Sequence, residues 1–467
     1  LRFTLFDSLQ NTSNIEVKMK VSLINIKQKN NPYGLFGIYP LGPLYLGTLL
    51  KQNGYEVKVF DENRDPVFNE KKGTFHPDIL HSDFVGLTVI SPAANRALSF
   101  LRELQKQKPE IRTACGGPHL LDDQQAEEFI QYTDVVVQNE AENCIEEIVK
   151  GNRKGIYRCE PMQTLNDLPV PDFKLLDKTG KKLRDFFRLT PISTTRGCPR
   201  NCEFCAVSNI HGKVIRRRSP SLVIEEMKQR YKEGFRQIFF TDDNFSVYPS
   251  KRVPLLEAMI RMREEGFVFK SIIIQDEVMG LLKGGNEYID RMRKAGIKTV
   301  MLGIESFEDS MLEAMQKSHK SSDSEKAIHL LQDAGMIIYS FGMARPEWDT
   351  RESIKKQFQK LKQLGITYAD MTIETPVPGT RYWEKSKSKI IALKNGKPDW
   401  DQWDYLTPVI SPAYMTPGGF QKEVRKNMRR FYSIGRGLKQ LLKGKISQGL
   451  TILYVWYMAG KMYSKAQ

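Results

Sequence analysis

A chain of 467 residues exceeds what one hydrophobic core usually supports, so two or three folded units are expected. Its 40% apolar and 27% charged residues leave a core to bury, which excludes a disordered protein, and no uncharged apolar run reaches the roughly 18 to 20 residues of a membrane span. The net charge of +16 is concentrated: residues 420–467 hold eleven Lys or Arg against the single acid Glu423, so ten of the sixteen charges sit in the last tenth of the chain, which argues against a general nucleic-acid-binding face.

In chain order, Leu1 opens a segment without the basic-then-apolar pattern of a leader, so the expected compartment is the cytoplasm. Met19 directly precedes an apolar run, and residues 1–18 read as a disordered extension. From 19 to about 160, strands are expected at Val21 to Ile26, Val57 to Phe60, Val85 to Ile90, Thr113 to Cys115 and Val135 to Val137, with helices near Leu41 to Asn53 and Ala97 to Gln107. This alternation predicts an α/β unit with a doubly wound parallel sheet, whose ligands lie beyond the carboxyl ends of the strands, where Ser91, Gly116 and Gly117 fall. A connector over residues 161–187, with Leu168-Pro169-Val170-Pro171, marks a domain boundary. A second βα series over 188–383 places strands at Leu189 to Ser193, Ile238 to Phe240, Ile272 to Ile274, Val300 to Leu302, Ile337 to Phe341 and Met371 to Ile373, the pattern of an open, partial six-stranded β/α barrel. Residues 384–467 begin irregular and rich in Trp and Tyr, and end as a basic helical tail.

Three of the six cysteines fall within eight positions, in Cys198-Pro-Arg-Asn-Cys202-Glu-Phe-Cys205. The motif directly follows the first barrel strand, so its thiolates belong at the barrel's carboxyl end, where this architecture places chemistry. Thiolates suit iron–sulfur clusters or zinc. Three of them complete neither a four-ligand structural zinc site nor a cluster with four protein ligands, and one coordination position is left open. A redox-sensing or zinc-binding patch is the alternative. Cys115, Cys144 and Cys159 have no such spacing to one another and read as small buried hydrophobes in a reducing compartment.

The CxxxCxxC spacing after a first strand, with Phe204 before the third cysteine, resembles the radical S-adenosylmethionine (SAM) superfamily. The resemblance implies a four-iron, four-sulfur cluster on Cys198, Cys202 and Cys205, whose open iron is chelated by SAM and which passes an electron, from a reductant such as ferredoxin or flavodoxin, to release a 5′-deoxyadenosyl radical. It further implies SAM contacts from Phe204, from Asp243 and Asn244 after the second strand, and from Glu305 and Ser306 after the fourth. Arg345, in a Gly342-to-Glu347 turn that keeps only part of the family pattern, is the implied partner of the SAM carboxylate. Ionised carboxylates at these strand ends suit the SAM ammonium, the alternative for each residue being a loop or helix cap.

An α/β unit ahead of such a barrel resembles the cobalamin-dependent class of these enzymes. Pro40 to Leu46, Gly86 to Ser91, and Cys115-Gly116-Gly117-Pro118-His119 carry the likeness. It implies cobalamin held near Leu41, Gly42, Ser91, Gly116 and Gly117, the paired glycines letting the backbone approach the nucleotide tail. No Asp-x-His-x-x-Gly offers a lower cobalt ligand, and His119 reads as turn or surface. Where relatives often show Gly-Glu-Gly-Glu, this chain has Gln138-Asn139-Glu140-Ala141-Glu142, which adds bulk near the expected tail.

The class implies methyl transfer to an unactivated carbon, one SAM methylating the cobalt and a second supplying the radical. A cobalamin-binding cyclase or rearrangement enzyme and a radical SAM enzyme without cobalamin remain open, as does a non-catalytic iron–sulfur or zinc protein. No acid or base residue is assigned. In the tail, Lys and Arg stand among Phe431, Tyr432, Ile434, Leu438, Leu441 and Leu442, and Ile446 to Gly460 is uncharged with Tyr454, Trp456 and Tyr457. That pattern suits peripheral contact with the inner face of a membrane, and resemblance to hopanoid methylases implies a small hydrophobic or lipid substrate. A helical lid on the barrel, basic only on its outside, is the alternative.

Overall fold

The computed structural model describes residues 18–29, 37–176 and 189–464, with side chains as far as 457. The expected extension, apart from Lys18, lies outside the described residues, as do residues 177–187 of the connector.

Strands β1 (Lys20–Asn25), β2 (Glu56–Asp61), β3 (Phe84–Thr88), β4 (Arg112–Gly116), β5 (Val135–Gln138) and β6 (Gly155–Arg158) form one parallel sheet in the order β2-β1-β3-β4-β5-β6. β6 is the strand the sequence reading missed; it is a short edge with few apolar residues, so its periodicity is weak. Alternation along β1 sends Leu23 to one core with Leu44 and Ile148, and Ile24 to another with Leu98 and Phe129. Helix α1 (Leu41–Gln52) covers the first face and α2 (Ala94–Gln107) the second, the doubly wound arrangement expected. Helix α2 buries Ala94, Ala97, Leu98, Leu101 and Leu104, one stripe of a 3.6-residue period.

The second sheet holds β7 (Thr190–Ile192), β8 (Gln237–Phe240), β9 (Ser271–Asp276), β10 (Ile297–Glu305), β11 (Ile337–Ala344) and β12 (Tyr368–Ile373), all parallel and paired in chain order, with β7 and β12 as edges. This is an open barrel. Ile272, Ile274, Val300, Leu302 and Ile338 are buried toward the outer helices, while Gln275, Met301, Gly303, Phe341 and Met343 alternate with buried neighbours and stay partly accessible. The inner face therefore lines a hollow, not a filled core.

The C-terminal region is part of the fold. Trp383, Trp400 and Trp403 are buried in the core of the first sheet, Trp400 with its ring 4.6 Å from that of His119. Helix α3 (Pro417–Phe431) packs on the barrel, and the following Tyr432 hydroxyl accepts from the Ala369 N–H at 2.8 Å and donates to its C=O at 2.7 Å, closing the exposed edge of β12.

Two expectations are corrected. His119 is fully buried, with Nδ1 3.1 Å from the Ser91 hydroxyl, and burial pushes its pKa down to about 3, so the ring is neutral. Cys144 and Cys159, read as unrelated, are joined by a disulfide with Cα atoms 6.2 Å apart, because the β5 and β6 ends bring them together across fifteen residues.

Candidate functional site

The loop after β7 begins at Gly197, whose φ of +98° and whose hydrogen, 2.2 Å from the Val214 oxygen if replaced by a Cβ, admit only glycine. This turn delivers Cys198, Cys202 and Cys205, all free thiols, to the wall of one open cavity. Arg200, between them, is clamped by Glu277 at the end of β9, with Nε 2.7 Å from the carboxylate. Burial pushes all three thiols above their ordinary pKa, Cys205 to about 12, so they become thiolates only against a cation. Three thiolates in one wall leave a coordination position open, which suits an iron–sulfur cluster that takes a further ligand better than a closed four-ligand zinc site.

Asp243 and Asn244 after β8, Glu305 at the end of β10, and Phe204 line the same cavity. Ser306 and Arg345 do not: Ser306 Oγ accepts from the Glu308 N–H at 3.1 Å, and Arg345 Nε donates to Glu374 at 2.8 Å, which spends its charge at the ends of β11 and β12. Besides Arg200, held by Glu277, the cation that lines the cavity is Lys317, its Nζ 3.2 Å from Glu305. Burial opposes the Lys317 charge, but Glu305 and Cys202 outweigh it and raise its pKa. Sequence reasoning missed this residue because no spacing marks it; Gln316, with φ +56°, turns it inward.

A second cavity lies between the carboxyl ends of the two sheets. Ile90, Ser91 and Pro118 come from the first sheet's loops, Ile210 from the stretch after the cysteines, Met343 and Thr372 from the barrel, and Tyr405 from the C-terminal region. Phe204 is common to both cavities. Of the residues expected around cobalamin, Ser91 faces this space, whereas Leu41, Gly42, Gly116 and Gly117 are not in its wall. Gly42 fronts open space, and Leu41 packs with Tyr45 and Leu165. Gly117, with φ +113°, is needed because a Cβ would meet the Val89 oxygen at 2.6 Å, a close approach of backbone to backbone.

The Gln138-to-Glu142 segment joins the two domains. Asn139 takes φ +69°, the left-handed conformation that asparagine tolerates best after glycine, so the chain turns there as a glycine would let it. Glu140 accepts from Arg216 at 2.6 Å and lies 3.0 Å from His211 Nδ1 and 3.2 Å from Arg196; Glu142 pairs with Arg196 at 2.6 Å. Burial alone would raise the Glu140 carboxyl, but His211, Arg216 and Arg196 hold it far below the usual range.

Residues 192–353 match the sequence model of the Radical SAM superfamily, and residues 36–149 that of the B12 binding domain. The chain is similar to an uncharacterized methyltransferase of Pyrococcus horikoshii, 29% identical over 84% of this chain and 87% of the relative. It is also similar to the bacteriochlorophyllide d C-8(2)-methyltransferase of Chlorobaculum tepidum, 27% identical over 84% and 86%. Among solved structures, the radical SAM methyltransferase TsrM of Kitasatospora setae, which holds cobalamin and a four-iron, four-sulfur cluster, shares the fold, with a TM-score of 0.59 and 16% identity over 87% of this chain and 85% of that one.

Proposed function

This chain is a radical SAM enzyme that also carries a B12-binding domain, and on that premise we propose that it transfers a methyl group from SAM to an unactivated carbon of a hydrophobic substrate. The observation that carries the reading is the second cavity, walled by both domains and sharing Phe204 as a wall residue with the cysteine cavity. Cys198, Cys202 and Cys205 would hold the cluster, while Glu305, Asp243 and Lys317 offer charges of both signs, and Asn244 a neutral amide, to the ammonium and carboxylate of SAM. The apolar cleft and a Ser91 hydroxyl beside neutral His119 fit a large, mostly apolar cofactor face. When bound, the cluster with SAM supplies a hydrogen-abstracting radical and cobalamin supplies a methyl carrier. The chain's own share is placement: Phe204, Ile210, Met343 and Pro118 keep water from the reacting space and hold an acceptor near the cysteine loop.

A relative that methylates a bacteriochlorophyllide supports a hydrophobic acceptor. So does the C-terminal hairpin of α4 (Ile434–Leu442) and α5 (Ile446–Ser464). Ile434, Leu438 and Leu442 on one helix and Ile446, Leu450 and Tyr454 on the other are exposed, Leu442 by 89%. Lys439, Lys443 and Lys445 stand among them, and no acid follows Glu423. No described helix is long and apolar enough to cross a membrane, so the hairpin's contact lies in the plane of the surface, with apolar side chains in the interface and lysines on anionic headgroups.

Anaerobic enzyme given iron, sulfide, cobalamin, reductant and methyl-labelled SAM, with host-cell extract as acceptor, is expected to place label in an organic-soluble product. Extract-dependent 5′-deoxyadenosine without label in any product would replace methyl transfer by cyclisation or rearrangement.

A further inference from the structure

The wall of the second cavity is apolar except for five polar side chains, and four of these are already committed. Ser91 Oγ lies 3.1 Å from His119; Thr372 Oγ1 donates to the Gly342 carbonyl at 3.4 Å; Thr375 Oγ1 donates to that of Ile373 at 2.9 Å; and Glu374 accepts from Arg345 at 2.8 Å. The fifth is Tyr405, whose hydroxyl has no hydrogen-bond partner among the described residues.

Its backbone shows that the position is imposed. Tyr405 has φ +58°, a left-handed conformation that a bulky aromatic residue rarely adopts. The surrounding turn enforces it: the Ile373 N–H donates to the Tyr405 carbonyl at 2.7 Å, the Asp404 carboxylate accepts from the Leu406 and Thr407 N–H groups at 2.9 and 2.8 Å, and Trp403 Nε1 donates to the Pro376 carbonyl at 2.8 Å. Strain held by so many contacts, with no internal partner for the group it positions, is the signature of a side chain placed for something that binds.

We propose that Tyr405 touches the acceptor and sets specificity: its hydroxyl hydrogen-bonds the one polar group of an otherwise apolar molecule and so fixes which carbon faces Phe204 and the cysteine loop. This rests on the proposed function, with the acceptor held at the Met343, Thr372 and Tyr405 end of the second cavity and the cofactor face at its Ser91 end. The substrate class follows, an apolar skeleton bearing a hydroxyl, carbonyl or comparable hydrogen-bonding group, since a hydroxyl that faces a largely apolar cavity disfavours analogues that leave it unpaired.

The test uses the full chain loaded with iron and sulfide, cobalamin, SAM and reductant, and reads 5′-deoxyadenosine formation as the organic-soluble fraction of host extract is titrated in. In Tyr405→Phe, which keeps the ring, the fraction needed for half-maximal stimulation is expected to rise tenfold or more, while bound iron and acceptor-free SAM cleavage stay within twofold. Tyr405→His, a ring that still carries a hydrogen-bonding group, is expected to recover part of the loss. An unchanged acceptor dependence in Tyr405→Phe overturns the proposal, and so does an equal fall of acceptor-free cleavage, which would place the residue with the cluster. Because this readout needs no methyl label, a wild type that is stimulated by the acceptor without methylating it refutes methyl transfer and still decides the role of Tyr405.

Discussion

Glu140 shows how single residues bind the two domains. Its carboxylate, nearly buried, answers two guanidiniums and an imidazole that belong to the other domain. Removing one member of such a group leaves uncompensated buried charge, so Glu140→Gln is expected to destabilise the chain by about 3 kcal/mol in urea unfolding. The sign of the pH effect follows from a carboxyl whose folded pKa is depressed: its contribution is full above about pH 4.3, the ordinary glutamate value, and is lost as pH falls from there toward its folded value. The gap in stability between wild type and variant should therefore narrow below that pH; a gap that widens would contradict the assignment. At this scale the cysteines were legible because their chemistry depends on spacing in one loop. Lys317, Glu140 and Tyr405 were not, since each acquires its role from a partner or cavity built by distant segments. Arg345 pairs with Glu374, just past the next strand, and lies outside the cysteine cavity for the same reason: nothing in sequence tells which partner takes its charge.

At the scale of elements, strands were legible wherever β-branched residues run together, as in β5 and β9, and both sheets are parallel, as their alternation with helices implies. What local pattern missed was the stretch around Trp400, which lacks periodicity and is ordered by tertiary burial alone. Trp403 is fully buried, donates to the Pro376 carbonyl, and lies 4.6 Å from the Trp400 ring. Trp403→Ala is expected to cost about 3 to 5 kcal/mol and to lower the midpoint of thermal unfolding accordingly. Because the turn that holds Tyr405 begins at Trp403, acceptor stimulation should weaken in the same variant at temperatures where it remains folded. A melting midpoint equal to wild type would mean that this segment does not staple the first sheet.

For the whole molecule, the division into a doubly wound sheet and an open barrel was legible from length and alternation, whereas the return of the C-terminal region onto both was not. Sequence left the tail between a lid and a membrane contact; the structure packs α3 on the barrel and leaves the α4 and α5 stripe uncovered within the described chain. The full chain is expected to float with vesicles of phosphatidylcholine and phosphatidylglycerol, less so in high salt, and Leu438→Glu with Leu442→Glu is expected to abolish flotation without changing iron content. Equal flotation of that double variant would remove the hairpin from the contact.

Cys198, Cys202 and Cys205, each changed in turn to alanine in anaerobically prepared full-length protein, put the central claim to its most direct measurement: bound iron and the yield of 5′-deoxyadenosine from SAM under strong reductant. Each variant is expected to lose cluster iron and to form no 5′-deoxyadenosine above background. Undiminished iron together with undiminished SAM cleavage in any one of them would contradict the account.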